Sequence, residues 1–148
     1  MRTLVFYKSM KINVHTELPD EAMSVRISVF THEQGLVDKP DETDRISYHL
    51  LLSDDDGKAI GTCRIFPSDD GKTYILGRLA IIKEYREKGY GSMLVRFAEG
   101  YVKNLGAAGI ILHSQYSSKD FYSKLGYIQS SEKDTVQGVE HIWMSHTF

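Results

Sequence analysis

One cysteine, Cys63, is all the sequence contains, so no disulfide within the chain can hold the fold, and folding does not depend on an oxidising compartment. Positive charge is not in surplus either. The formal net charge of −2 argues against a nucleic-acid binder that works by bulk electrostatics, although a local basic patch is compatible with it. No apolar run is long enough to span a bilayer. The first stretch, "MRTLVFYKSMKINVH", is interrupted by Lys8 and Lys11 too soon for a secretory leader, so a cytoplasmic location is expected. Internal repeats and low-complexity linkers are lacking, and 148 residues suit a single domain spanning 1–148. The six histidines are scattered without ligand spacing to one another or to Cys63, so no metal site is expected. Cys63 alternates with Gly61 and Ile65 and reads as a small buried hydrophobe.

What is present is a run of well-punctuated elements. "LPDEAMSVRISVF" predicts a helix from about Pro19 to Phe30: Pro19 suits the first turn, Asp20 and Glu21 complement the helix dipole, and Ala22, Val25 and Val29 recur at helical spacing. "THEQGLVDKPDETDR" is polar and reads as a long loop of the kind that often carries function. "ISYHLLLS", "AIGTCRIF" and "TYILGRLAII" are separated by "DDDGK" and "DDGK", which predicts three consecutive antiparallel strands. Tyr90, Leu94, Phe97, Tyr101 and Leu105 then fall on one helix face, with Gly106 as the stop. "GIILHSQ" is a short strand and "SSKDFYSKLG" a short helix, with Ser117 or Ser118 as its cap and Gly126 as its stop. "YIQSS" and "EHIWMSHTF" close the chain as two strands joined by a polar loop. The step from strand through helix to strand around residues 91–105 implies a right-handed crossover and one parallel pair in a mixed sheet.

The most informative stretch is "YREKGYGSML", residues 85–94, which places bare backbone and two cations between a strand and a helix. A helix N-terminus offers unpaired N–H groups and partial positive charge, glycine lets an anion come close, and Arg86 and Lys88 add full charge. The combination suits a phosphate or pyrophosphate. It does not fit a dinucleotide fingerprint, because Leu94 stands where a third glycine or alanine is needed, and no P-loop pattern is present.

Arg-x-x-Gly-x-Gly after a long apolar strand, "GRLAIIKEYREKGYGSMLVRFAE", resembles the acyl-CoA pyrophosphate loop of the GNAT superfamily of N-acyltransferases. "DFYSKLGY" is similar to that family's later helix, and "VFTHEQG" through "DETDRISYHL" is similar to a bacterial-type subgroup. The resemblance covers most of the chain. It implies a single-domain α+β fold with a mixed, mostly antiparallel sheet of about seven strands flanked by helices. It also implies an N-acetyltransferase that moves an acetyl group from acetyl-CoA to a primary amine of a small molecule by direct attack. Backbone from Leu79, Ala80 and Ile81 would then pair with the pantetheine arm, and the loop residues Arg86, Glu87, Lys88, Gly89, Tyr90, Gly91 and Ser92 would hold the pyrophosphate. Tyr122 would be the general acid, with a packing tyrosine as the alternative.

For the general base, His113 and Glu33 are candidates, against a structural histidine and a solvated carboxylate; His49 could face the cleft or pair with Asp44 or Asp41. Arg78, a charge in a central strand, must be paired or face a cleft. It could hold the front loop through Asp41, Glu42 or Asp44, or meet an acidic acceptor, and His141 could line the acceptor side. The acidic front loop is compatible with a cationic acceptor. Acetyl-CoA and an amine are the expected partners, with neither nucleic acid nor membrane, and a homodimer is left open. A protein lysine or N-terminus as acceptor, or a non-catalytic acyl-CoA-binding domain, are the alternatives.

Overall fold

A computed structural model describes residues 9–148; the segment through Lys8, on which the reading of the N-terminus rests in part, lies outside them. Eight strands form one sheet in the order β1-β2-β3-β4-β5-β8-β6, with β7 added on β8. The strands are β1 (Lys11–His15), β2 (Tyr48–Ser53), β3 (Ala59–Pro67), β4 (Thr73–Ile81), β5 (Gly109–Gln115), β6 (Ile128–Gln129), β7 (Asp134–Val136) and β8 (Val139–Thr147). Both Asp-Gly hairpins form, so β2, β3 and β4 are a meander as the turns predict. β4 and β5 are the parallel pair, joined by helix α3 (Tyr90–Asn104) as the crossover. The additional strand β7 lies inside the stretch read as a polar loop; Gln137 and Gly138, with φ of 50° and 77°, make the two-residue turn that folds it onto β8.

The two sheet faces are covered differently. α3 and the short helix α4 (Lys119–Lys124) pack on one, where Leu94, Val95, Ala98 and Val102 meet Leu50, Cys63, Leu112, Tyr122 and Met144 in the main core. The buried stripe of α3 is therefore shifted from the one the large side chains suggest. Phe97 and Leu105 are 38% and 49% exposed, while the smaller Val95, Ala98 and Val102 let the helix sit close to the strands. Tyr101 keeps its inward role by packing edge-on against Tyr48 at 5.1 Å.

On the opposite face lies helix α1 (Asp20–Arg26), whose Val25, with Val29 beyond it, packs on Ala80. The predicted single helix to Phe30 changes character at Ile27 and continues as a π-helical segment through Glu33. The wider turn keeps Val29 on the sheet while carrying Phe30 and Gln34 over the middle of it. The long front loop is not structureless: helix α2 (Glu42–Arg45) forms within it, closed by a capping box between Asp41 and Asp44. Asp44 also accepts from the buried Arg26, and this fixes the loop to α1.

Candidate active site

β4 and β5 pair only from Thr73↔Gly109 to Leu76↔Leu112. Beyond Leu76, β4 stays on β3 as far as Gly61↔Ile81 but passes through a bulge opposite Cys63, where Arg78 takes a φ of 53°. β5 meanwhile follows β8 to Gln115↔His141. The two strands diverge, and a cleft of about 180 Å³ opens between them, lined by Gly77, Arg78 and Leu79 on one wall and His113, Ser114 and Gln115 on the other. The β5-facing edge of residues 77–81, which includes the predicted Leu79, Ala80 and Ile81, has no strand partner among the described residues.

The glycine loop lies at the end of this edge. A 3₁₀ turn at Lys83–Tyr85 uses the amides of Tyr85 and Arg86, which donate to Ile82 and Lys83. The amides of Glu87, Lys88 and Gly89 donate to no protein acceptor among the described residues, and those of Tyr90, Gly91 and Ser92 belong to the first turn of α3, whose helical bonding begins at Met93 to Gly89. Gly89 is the N-cap residue with a φ of 85° and has open space around its Cα, so conformation selects glycine there. Gly91 is glycine for a different reason: a Cβ would come within 3.2 Å of the Phe121 ring. This contact locks the loop against α4 and couples the two motifs that carry the resemblance.

Arg86 is less available to a phosphate than its place in the motif suggests. Its Nε donates to the Ile81 carbonyl at 2.9 Å, and its terminal nitrogen is bound to Glu33. Glu33 in turn sits outside the cleft, paired with Arg86, so the structure does not bring it together with Tyr122 and His113.

Tyr122 reaches the cleft from the α4 side. It is 7% exposed and packs with Leu125 in the core, while Phe121 takes the place against Gly91. Burial, with a smaller contribution from Cys63, pushes its hydroxyl far above the ordinary tyrosine range, so it holds its proton at neutral pH. Among the described residues its hydroxyl has no hydrogen-bond partner.

His113 lines the opposite wall. Its Nε2 lies 2.8 and 3.0 Å from the two carboxylate oxygens of Asp134 on β7, its ring stacks on Trp143 at 4.7 Å, and His141 is 4.8 Å away. Because both neighbours of Nε2 are acceptors, Nε2 carries the proton and the neutral ring keeps its lone pair on Nδ1. His141 lines the cleft too, whereas His49 does not. His49 is buried, its ring nitrogen meets the Asp44 carbonyl at 2.9 Å, and burial lowers its pKa.

A family described as Acetyltransferase (GNAT) matches residues 16–127, which include the bulge, the glycine loop and α4. The chain belongs to the GNAT acetyltransferase family. The uncharacterized N-acetyltransferase YjcF of Bacillus subtilis is 33% identical over 128 residues, 84% of this chain and 89% of that one. An acyl-CoA N-acyltransferase from Pseudomonas aeruginosa shares the fold with a TM-score of 0.80 at 20% identity, over 95% of this chain and all of the other. A GNAT family acetyltransferase from Elizabethkingia anophelis, solved with acetyl-CoA bound, does so with a TM-score of 0.70 at 16% identity, over 94% and 98% of the two chains.

Several residues that shape the cleft and its surroundings carry roles the sequence reading did not assign. Arg26 is 1% exposed and binds both oxygens of Asp38 and one of Asp44; Arg64 joins Asp44 to Asp41. Burial opposes charge at both aspartates, but Arg26, with further help from Arg78 at Asp38 and Arg64 at Asp44, outweighs it and holds each carboxyl below its ordinary range. A signal existed for Arg26, which stands four residues after Ala22 on the apolar side of α1. None existed for Asp38 or Asp134. The acidic front loop, read as a match for a cationic acceptor, spends Asp38, Asp41 and Asp44 on arginines of the same chain.

Proposed function

We propose that this protein is an acetyl-CoA-dependent N-acetyltransferase that acylates a primary amine of a small molecule. The observation that carries the reading is the β4–β5 cleft, which meets a buried, protonated tyrosine from one sheet face and a carboxylate-held histidine from the other. Acetyl-CoA, when bound, supplies an acetyl group activated as a thioester. The unpaired amides of Glu87, Lys88 and Gly89 and the first turn of α3 suit its pyrophosphate, with the Lys88 ammonium, 5.5 Å over the Tyr85 ring, as the nearby cation. The free edge at Leu79, Ala80 and Ile81 suits the amides of the pantetheine arm, by strand addition.

Tyr122 keeps a proton in an apolar surround and is placed to give it to a leaving thiolate. His113, with Nε2–H committed to Asp134, has a lone pair with which to take the proton of an ammonium, directly or through water. Glu33 serves better as the anchor of Arg86 than as a base. A small acceptor is favoured over a polypeptide because the acceptor side is bridged: Gln137 exchanges two hydrogen bonds with the Val37 backbone, at 2.9 and 3.1 Å, and the Gln115 amide donates to Gln34 at 2.8 Å.

The test is calorimetric titration with acetyl-CoA, with NADH and ATP as controls, followed by an amine screen that reads release of free thiol. Cys63 will not add to that signal, since burial pushes its thiol up to about 12. Selective binding and turnover support the reading. Binding with no turnover on any amine would mean a non-catalytic acyl-CoA domain, and absence of binding would remove the reading altogether.

A further inference from the structure

Three arginines and three aspartates meet beside the cleft: Arg26, Arg64 and Arg78 with Asp38, Asp41 and Asp44. Their charges balance, but their bonds are not shared evenly. Arg26 holds Asp38 at 2.8 and 2.9 Å and Asp44 at 2.8 Å, and Arg64 holds Asp44 at 2.9 Å and Asp41 at 2.7 Å. Arg78 is left with one long bond to Asp38, 3.3 Å, and an approach to Asp41 at 3.8 Å. Its side chain is 39% exposed against 1% and 8% for the other two arginines, and it lines the cleft together with His113. Asp38, already taken by Arg26, is the one carboxylate lining the cleft among the described residues.

The backbone at Arg78 points the same way. Its φ of 53° falls in the left-handed region, where any residue with a Cβ is disfavoured and glycine would be easier. Packing does not require an arginine there, since its side chain is part-exposed and stands outside the buried core. A strained, loosely paired guanidinium on a cleft wall is a recognition group waiting for a better anion.

We propose that Arg78 recognises the acceptor by an anionic group, and that the acceptor is a small amine that also carries a carboxylate, an amino acid or a molecule like one. The proposal rests on the reading of this cleft as the acceptor end of an acetyltransferase. A guanidinium fork meets a carboxylate through two parallel bonds, which the incoming ligand would gain in exchange for the weak contacts to Asp38 and Asp41. The amine of the same molecule is then carried toward His113 on the facing wall.

The experiment compares matched acceptors: the proteinogenic amino acids, β-alanine and γ-aminobutyrate, each beside its amide and its decarboxylated amine. Thiol release gives rates, and ligand-observed NMR gives binding in the absence of acetyl-CoA. Arg78→Gly removes the charge and relieves the backbone, so the variant should fold, which its melting temperature checks; Arg78→Lys keeps charge without the fork. The expected result is a preference for acids that falls about ten- to hundredfold in Arg78→Gly and partly in Arg78→Lys, with the KM for acetyl-CoA unchanged. Equal use or binding of amides and simple amines, an acid preference that survives in Arg78→Gly, or no acid bound by the wild-type protein would overturn the assignment. The two readings fail separately. Arg78-dependent binding of acids without any acetyl transfer would discard the enzyme and keep the anion site; transfer only to amines that lack a carboxylate would do the reverse.

Discussion

On the α3 side of the sheet, the cleft is approached by residues that lie close together in sequence: the open edge of β4, the glycine loop and the first turn of α3 follow one another within residues 77–92. On the α1 side its walls come from distant segments. The π-helical turn, the loop at Val37 and Asp38, the bulge at Arg78, the end of β5 and the β7–β8 turn are joined by contacts such as Val37 to Gln137, one hundred residues apart. The first side depends on backbone conformation, which local sequence encodes. The second depends on side chains finding partners across the fold. A phosphate looks alike in every acyl-CoA, so a short local device suffices for it, whereas acceptor walls can be rebuilt one contact at a time.

If the α1 side hangs on its ion cluster, removing Arg26 should do the most damage. Arg26→Ala leaves Asp38 and Asp44 buried without their main partner, and a loss of about 3–5 kcal/mol in urea unfolding is expected. A loss under about 1 kcal/mol would mean that Arg64 and Arg78 can hold the loop alone. The same carboxyls predict acid sensitivity. Their folded pKa values lie below the unfolded value of about 3.9, so their stabilisation is present above that pH and is lost as the pH falls toward the folded values. The urea midpoint should therefore drop below about pH 4, and Arg26→Ala should flatten that dependence.

On the α3 side the largest effect belongs to Gly89. Gly89→Glu adds a side chain at a φ of 85° and a negative charge beside the unpaired amides, and acetyl-CoA affinity measured by calorimetry should fall by about a hundredfold or more. Gly89→Ala meets no neighbour and carries only the conformational strain, about 1 kcal/mol, so it should keep measurable affinity. Equal affinity in Gly89→Glu and the wild type would detach the loop from the pyrophosphate. Tyr122→Phe acts one step later. It should leave acetyl-CoA binding unchanged and lower kcat by about a hundredfold, the low end of general acid catalysis. An unchanged kcat would return Tyr122 to packing.

The comparison also explains what could be read in advance. The meander, the crossover helix, the parallel pair and the glycine loop are visible because alternation, Asp-Gly turns and Gly89 are local signals. The stripe of α3 was misjudged because Phe97 and Leu105 outweigh Ala98 in hydrophobicity but not in closeness of approach. The helical turn at Ile27 gave no warning, since a π-helical widening is decided by what must stay in contact at both ends, here Val29 on the sheet and Gln34 over the cleft. Arg86 and Glu33 were each read for chemistry, and their mutual pairing is a tertiary fact. Asp134 carries no local signal because β7, three residues long, forms by pairing with β8, and Asp134 meets His113 only in the folded chain.

The smallest expected effect tests the bridge over the acceptor side. Gln137 occupies a turn position with φ of 50°, which asparagine accepts well, so Gln137→Asn keeps the turn and shortens the side chain by one methylene. Both bonds to Val37 are exposed, and stability should change by no more than about 0.5 kcal/mol. The informative readout is acceptor size. With the bridge loosened, bulky amines and lysine-containing peptides should gain as acceptors relative to the best small amine, while the rate with the small amine stays within about twofold, because the bridge touches neither Tyr122 nor His113. If peptides are already acetylated well by the wild-type protein, the bridge opens by itself under working conditions, and the small-molecule reading gives way to a polypeptide acceptor.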